Sequence, residues 1–422
     1  MISVEEALAE ILSHVRPLPL ERVPILEALG QVLGEEIVSE ADIPPFDNSG
    51  MDGFAVRSAD VACAGRNAPA RLAVVGTVAA GYVADACVGA GEAIRIMTGA
   101  PIPEGADAVV PIEDTSDAQR EREQRLAEPV REIDIYARAE AGGNVRRAGE
   151  DVRHGETVLM PGRVIRPQEI GVLASLGRTA VQVHRRPKVA ILATGDELVD
   201  PGEPLAPGKI RNSNEYTNAA LVIRTGGLPL RLGVARDVAG ALSAKLREGL
   251  DLRADLFLTS GGVSVGDYDV VKDVLGREGR MQFWQVNMKP GKPLAFGLLG
   301  GGVPLIGLPG NPVSAMVSFE QFARPAILKM LGHRELAKPI VQAILDEDLE
   351  NSGRRGFVRV VVTKREGCYH ARATGEQGSG VLTSMARANG LAVIHEGLRG
   401  VQAGSEIAVQ MLDWPEAMGA LL

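Results

Sequence analysis

From Val189 onward, short apolar runs and helical patterns take turns along the chain, and few folds accept that order. The runs are Val189–Ala193, Leu228–Ala235, Asp255–Leu258, Met281–Val286 and Val303–Leu308. Helical patterns stand between them at Glu215–Arg224, Val238–Leu250 and Asp269–Gly276. A longer one opens at Asn311-Pro312, with Asn as N-cap and Pro in the first turn, and runs to about Met330. Strands apolar at nearly every position need cover on both faces, which intervening helices supply. A doubly wound, mostly parallel α/β sheet is therefore expected. Pro293–Phe319 carries no charge and is long enough to cross a bilayer. Its Pro293, Pro304, Pro309 and Pro312 and six glycines would break a spanning helix, so two buried strands and a helix start are expected there instead.

The flanks read differently. Ser3-Val-Glu-Glu6 has capping-box spacing and opens a short helix through Ile11 and Val15. "ADIPPFDNSGMDGFAV" is a turn region, and Arg71–Val110 reads as a small β-rich module divided by Gly and Pro. Asp117–Arg131 is charged and expected to be a solvated loop without chemistry. "RPQEIGVLASLG" predicts a helix that stops at Gly177. Beyond Gly332, "FVRVVVT", "YHARAT", "LAVIHEG" and "EIAVQML" are short strands of a small barrel or sandwich. The fold class is thus α/β plus β in several domains, as 422 residues also suggest.

Composition excludes some functions. A net charge of -9 and 4% aromatic residues disfavour nucleic acid and membrane surfaces as partners, but allow a small anion in a local cationic pocket. Cys63, Cys87 and Cys368 are far apart and the six histidines are scattered, so neither a disulfide framework nor zinc spacing is present. "MISVEEALAE" has no export-signal pattern, and a cytoplasmic location is expected.

In an open α/β sheet, ligands bind beyond the carboxyl ends of the strands. Here those ends carry "TGDEL" (Thr194–Leu198), Arg236-Asp237, "TSGGVSVGDYD", "NMKPGKP" (Asn287–Pro293) and "GLPGNPVS" (Gly307–Ser314). Five such clusters on one rim form a site. Lys289 and Lys292 bracket a Pro-Gly turn. Gly261, Gly262 and Gly310 permit close approach of backbone N–H groups, and the helix at Pro312 adds a positive dipole end. Asp196, Glu197, Asp237, Asp267 and Asp269 supply carboxylates, which make sense beside cations if a polyphosphate-like anion arrives with a divalent metal such as Mg²⁺.

"FLTSGGVSVGDYD" contains both a G-x-x-x-x-G and a G-x-S-x-G spacing. A phosphate loop of the NTPase type needs Lys after its second glycine, where Asp267 stands. A serine-hydrolase elbow at Ser264 needs a histidine base, yet His333, His370 and His395 all lie beyond the α/β segment and no HGGG-type run occurs. An anion cradle is the reading left.

"DNSGMDGFAV", "RIMTGAPIPEGADAVVPIED", "GEDV", "ATGDEL", "TSGGVSVGDYD", "KPGKP", "GLPGNPVSA" and "SMARANGLAVI" together resemble the molybdopterin molybdenumtransferases, MoeA and the E domain of gephyrin. The resemblance implies an elongated subunit of four parts. These are a largely helical domain (1–45 and 145–180), an inserted β-rich domain (46–144), a MogA-like α/β molybdopterin-binding domain (181–332) and a C-terminal β-barrel (333–422). It also implies a homodimer whose site lies between the α/β domain of one subunit and N-terminal parts of the other. The implied reaction inserts molybdate into adenylylated molybdopterin and releases AMP with Mg²⁺ assisting. A MogA-type adenylyltransferase and molybdoenzyme apoproteins are the implied partners.

Residue by residue, the resemblance makes Asp52, Glu197, Asp237 and Asp269 catalytic, with Asp237 and Asp269 also holding the metal. It assigns Thr98, Asp151, Ser264, Lys289, Lys292, Pro309 and Pro312 to substrate binding, beside Gly261 and Gly262, which the loop's own chemistry places there. Arg355, Ser379 and Ser384 would come from the barrel to a molybdate pocket. The rival functions are adenylyl transfer to molybdopterin by the α/β domain, serine hydrolysis through Ser264, and a non-catalytic dimeric scaffold.

Overall fold

The computed structural model describes residues 1–120, 130–236, 239–261 and 279–414. They fall into two compact units, one of Met1–Gly34, Pro161–Arg166 and Ala180–Leu422, the other of Glu35–Met160 and Pro167–Thr179.

The first unit is built on a six-stranded sheet. In chain order its strands are β1 (Lys188–Thr194), β2 (Leu228–Ala235), β3 (Leu256–Ser260), β4 (Gly279–Gln285), β5 (Pro293–Leu299) and β6 (Val303–Leu308). Their spatial order is β2-β1-β3-β6-β5-β4. The pairings β1–β2, β1–β3 and β3–β6 are parallel, while β6–β5 and β5–β4 are antiparallel. Two reversals cancel, so β4 points the same way as β6. The carboxyl ends of β1, β2, β3, β4 and β6 therefore share one edge.

The continuous apolar runs have the expected cause. Val189, Ile191, Leu256, Leu258, Ile306 and Leu308 face one core. The alternate residues Ala190, Leu192, Phe257 and Leu305 face another, covered by Leu242 and Leu246 of the helix Ala239–Asp251. The first core is closed by Asn214–Thr225, by the helical run 312–330, and by Val4, Ala7 and Ile11 of the helix Val4–Ser13. That first helix carries the predicted capping box, with Glu6 N–H donating to Ser3 Oγ and Ser3 N–H to Glu6 Oε2. Each fully buried aliphatic side chain contributes about 1.5–3 kcal/mol, so this apolar stripe is enough to hold the helix on the α/β core.

The run after Asn311 differs from expectation in two ways. Asn311 has an extended backbone, but its side chain makes no capping bond. The helix also passes from Pro312–Ser318 through a π turn at Phe319–Ala323 into Arg324–Met330. Pro325 lacks the N–H that an α-helix needs one turn back, and the wider turn precedes it.

The barrel is closed. Strands Arg355–Arg365, Cys368–Ala373, Ile340–Leu345, Glu406–Met411 and Gly390–Ile394 pair in that order, and the last returns to the first. Val341, Ala343, Val360, Val362, Ala371 and Val409 lie in its core.

The second unit centres on a five-stranded sheet in the order Ala108–Pro111, Gly53–Val56, Glu92–Ile96, Ala70–Val78, Glu132–Ile135. The predicted helix before Gly177 is Pro167–Ser175, and Gly177 has φ 71°. One expectation fails: Asp117 is not solvated. Its side chain is fully buried, 3.0 Å from Arg120 and 3.8 Å from Arg95, whose guanidinium charges offset the cost of taking the carboxylate out of water.

Candidate functional site

The carboxyl edge of the large sheet gathers the loops that the sequence singled out. After β1, Gly195 N–H donates to Ala235 O, so the TGDEL turn is tied to the end of β2. Glu197 is exposed there, with its carboxylate folded back beside Gly195. Its carbonyl accepts from Ile210 N–H at 2.8 Å.

After β3, Gly261 has φ +94°. A Cβ on it would stand 2.7 Å from Thr194 O and 2.8 Å from Thr194 Oγ1, so only glycine fits the turn. Its N–H is engaged by Leu308 O at 3.2 Å, which makes Gly261 a shaping residue and not a donor to an anion. Gly310 is less constrained, since a Cβ there would make ordinary contact at 3.7 Å with Gly261. Asn214 Nδ2 donates to Gly310 O at 2.7 Å and fastens the GLPGNP turn to the start of the helix Asn214–Thr225. Pro309 is buried and Pro312 half-buried.

After β4, the turn Asn287–Lys292 presents Lys289 and Lys292, both exposed and neither with a side-chain partner among the described residues. Gly291 between them is buried against Ser318, on the helix that follows the GLPGNP turn. Asp237, Gly262, Ser264 and Asp269, which the sequence also placed on this edge, lie outside the described residues.

The barrel lends a loop to the same edge. Val313, at the start of the helix, donates its N–H to Ser379 O at 3.1 Å. That helix end is thus occupied by the barrel, where the sequence suggested a free dipole for an anion. Ser379 is half-buried beside it.

A residue that sequence reasoning passes over holds this loop. Arg359 is 1% exposed. Its guanidinium donates to Glu376 O at 3.1 Å, Gln377 O at 3.1 Å, Gly378 O at 3.0 Å and Ser384 Oγ at 2.9 Å. Burial holds it below the usual arginine range. The available signal was a charge inside an apolar strand, "GFVRVVV".

Ser384 is itself buried. Besides accepting from Arg359, its hydroxyl donates to Val381 O at 2.6 Å. Arg355 lies between Glu396, 3.0 Å away, and Glu5 of the first helix. Burial alone would lower its pKa, but these two carboxylates carry it above the ordinary value. Of the three barrel residues, two are joined to the sheet edge through their backbone, Ser379 O accepting from Val313 N–H and Arg355 N–H donating to Asn287 O at 3.1 Å. Arg355 and Ser384 are engaged in holding structure.

In the second unit three other motif segments meet. Asp52 Oδ1 accepts from Thr98 N–H at 2.7 Å and Thr98 Oγ1 at 2.8 Å. Asp151 N–H donates to Ile43 O, and Asp47 accepts from Ala148 N–H and Arg147, which joins "DNSGMDG" to "GEDV". Gly53 is required by packing, since a Cβ would stand 2.0 Å from Val110 O. Asp52, Thr98 and Asp151 are all exposed. Among the described residues no three His, Cys, Asp or Glu form a group that could hold a metal.

An α/β sheet with exposed lysines and glycine turns on one edge, braced by a closed barrel, defines a multidomain α/β-plus-β protein with a cationic sheet edge. Comparisons with known proteins narrow this. The chain matches the MoeA N-terminal region (domain I and II) over residues 2–177, a probable molybdopterin binding domain over 190–329, and the MoeA C-terminal region (domain IV) over 342–412. It is 38% identical over 420 residues to a protein of Mycobacterium tuberculosis named molybdopterin molybdenumtransferase 2, covering 97% of this chain and 99% of that one. It is 35% identical to the molybdopterin molybdenumtransferase of Bacillus subtilis, covering 98% and 96%. The solved molybdopterin biosynthesis moeA protein of Pyrococcus horikoshii OT3 superposes with a TM-score of 0.80 at 33% identity, over 97% of this chain and 100% of that one. The chain belongs to the molybdopterin molybdenumtransferase family.

Proposed function

We propose that this protein carries out a step of molybdenum cofactor biosynthesis, inserting molybdate into adenylylated molybdopterin with release of AMP. One observation carries the reading: the Lys289–Lys292 turn, the GLPGNP turn and the Ser379 loop converge on one sheet edge. Cations on a preformed frame hold two anionic reactants together and remove much of the entropic cost of their meeting. Lys289 and Lys292 draw in phosphate and molybdate oxygens, Ser379 supplies a hydroxyl to the oxyanion, and Glu197 orients a hydroxyl or water. The dithiolene supplies the molybdenum chemistry, and the protein supplies position and field. Mg²⁺ would be held by Asp237 and Asp269 and would offset charge on the phosphoanhydride. The described residues contain no complete metal cage, and no step is assigned to the ion.

The protein would act as a cytoplasmic homodimer in which Asp52, Thr98 and Asp151 serve the partner's sheet edge. No described helix is long and apolar enough to cross a membrane. Adenylyl transfer by the α/β domain alone leaves the other two matched regions without a role. The test mixes purified protein, adenylylated molybdopterin and Mg²⁺ and follows AMP with and without molybdate. Molybdate-dependent AMP release is expected. Release at the same rate without molybdate, or none in either case, would overturn the proposal.

A further inference from the structure

The first unit contains a cavity of about 560 Å³, away from the sheet edge, that the proposed reaction does not use. The helix Asn214–Thr225 begins at the catalytic edge, where Asn214 bonds Gly310, and its C-terminal residues Arg224 and Thr225 line this cavity. Twelve helical residues span roughly 18 Å, so the two places are separate.

The lining is sorted by charge. Among the described residues that line it, Arg186, Arg224, Arg324 and Lys338 stand against Glu320 and Asp413. Burial and the charge of Arg324 hold His333 below the usual histidine range, so it is neutral at pH 7. The described lining therefore carries an excess of two positive charges, in a chain whose net charge is -9. Arg224 is paired with Asp413 at 2.7 Å and Lys338 with Glu320 at 3.0 Å. Arg324 is 3.9 Å from Glu320 and also donates to Leu336 O. Arg186 has no side-chain partner among the described residues.

These cations are not comfortable as they stand. The Lys338 side chain is only 9% exposed. Burial holds its ammonium below the usual lysine range despite Glu320, and Arg324 is lowered for the same reason. Leu29, Ile223 and Trp414 form an apolar side to the cavity although each is exposed. Gln31 adds a polar contact point. It is 5% exposed, its Nε2 donates to Glu27 O, and its Oε1 has no hydrogen-bond partner among the described residues.

A phosphate monoester carries about two negative charges near neutral pH, which matches the excess on the wall. An apolar or ring-shaped body would cover Ile223 and Trp414, and an attached hydroxyl or N–H would reach Gln31. We propose that this cavity is a binding site for a small organic phosphate monoester, independent of the catalytic edge.

Trp414 provides a local reporter, because Trp284 is the only other tryptophan. Trp284→Phe protein would be titrated with phenyl phosphate, inorganic phosphate and phenol while Trp414 emission is followed. Phenyl phosphate should give a saturable change, weakened by added salt. Inorganic phosphate should bind at least about tenfold more weakly, and phenol should give no saturation. A hydrogen bond to a charged group contributes about 1.5–3 kcal/mol, so Arg186→Glu in the same background should weaken phenyl phosphate roughly ten- to hundredfold. Lys289→Ala should leave the Trp414 signal unchanged, which separates this site from the catalytic edge. In case Trp284→Phe does not fold, phenyl phosphate should raise the unfolding temperature of the parent protein, and Arg186→Gln should abolish that rise. No saturable response, equal binding of phenol, or an unaltered response in the Arg186 variants would overturn the assignment.

Discussion

Replacing Arg359 tests whether the barrel loop is held at the sheet edge by one buried guanidinium. In the parent that group satisfies three loop carbonyls and the Ser384 hydroxyl. Arg359→Met would leave those acceptors without their charged donor. Each buried group so abandoned costs about 1–3 kcal/mol. The four share one side chain and do not add, so a total of about 3–5 kcal/mol is expected.

Arg359→Lys is the sharper variant. It keeps the charge, but an ammonium is a compact point and cannot span carbonyls on three consecutive residues as a planar fork does. Amide hydrogen exchange across residues 374–381 should accelerate in both variants, while the α/β core keeps its protection. In the AMP-release assay the KM for molybdate should rise more than kcat falls, as for a binding group displaced in the ground state. Parental exchange and parental molybdate dependence in Arg359→Lys would refute the idea that this residue positions Ser379.

Gly261→Ala should destabilise the α/β unit by about 2–4 kcal/mol, combining an unfavourable φ with a clash on Thr194 O, read as a lower denaturant midpoint. Lys289→Ala should leave that midpoint unchanged and raise the KM for the adenylylated substrate roughly tenfold or more, the loss of one charge-assisted contact. Asp52→Ala removes the acceptor for Thr98 N–H and Oγ1. Because both residues are exposed, stability should change by less than about 1 kcal/mol while AMP release falls strongly. Asp47 is held below its ordinary value of 3.8, first by the Ala148 N–H and then by Arg147. Its stabilising contribution is therefore complete above that value and is lost as pH falls through the lower folded value. The difference in unfolding midpoint between parent and Asp47→Asn should be constant near neutrality and close only below pH 3.8.

Local chemistry makes much of this protein legible in its amino-acid sequence. Runs apolar on both faces, separated by helical patterns, require a covered parallel sheet. The capping box at Ser3–Glu6 and the stop at Gly177 follow from backbone groups within a few residues of each other. The order of motifs points to the family in the same way.

Tertiary structure decided what depends on residues distant in sequence. That β4 runs with β6, which puts the Lys289–Lys292 turn on the common edge, follows from two antiparallel pairings that no local pattern encodes. Arg355 and Arg359 are four residues apart and chemically identical. One meets Glu5 and Glu396, and the other meets the carbonyls of the Ser379 loop. Gly261 reads as an anion donor until Leu308 O is found on its N–H, and Asp117 reads as solvated until Arg95 and Arg120 close on it. A side chain's type states which bonds it can make; which of them it makes depends on the partners that folding brings within about 3 Å.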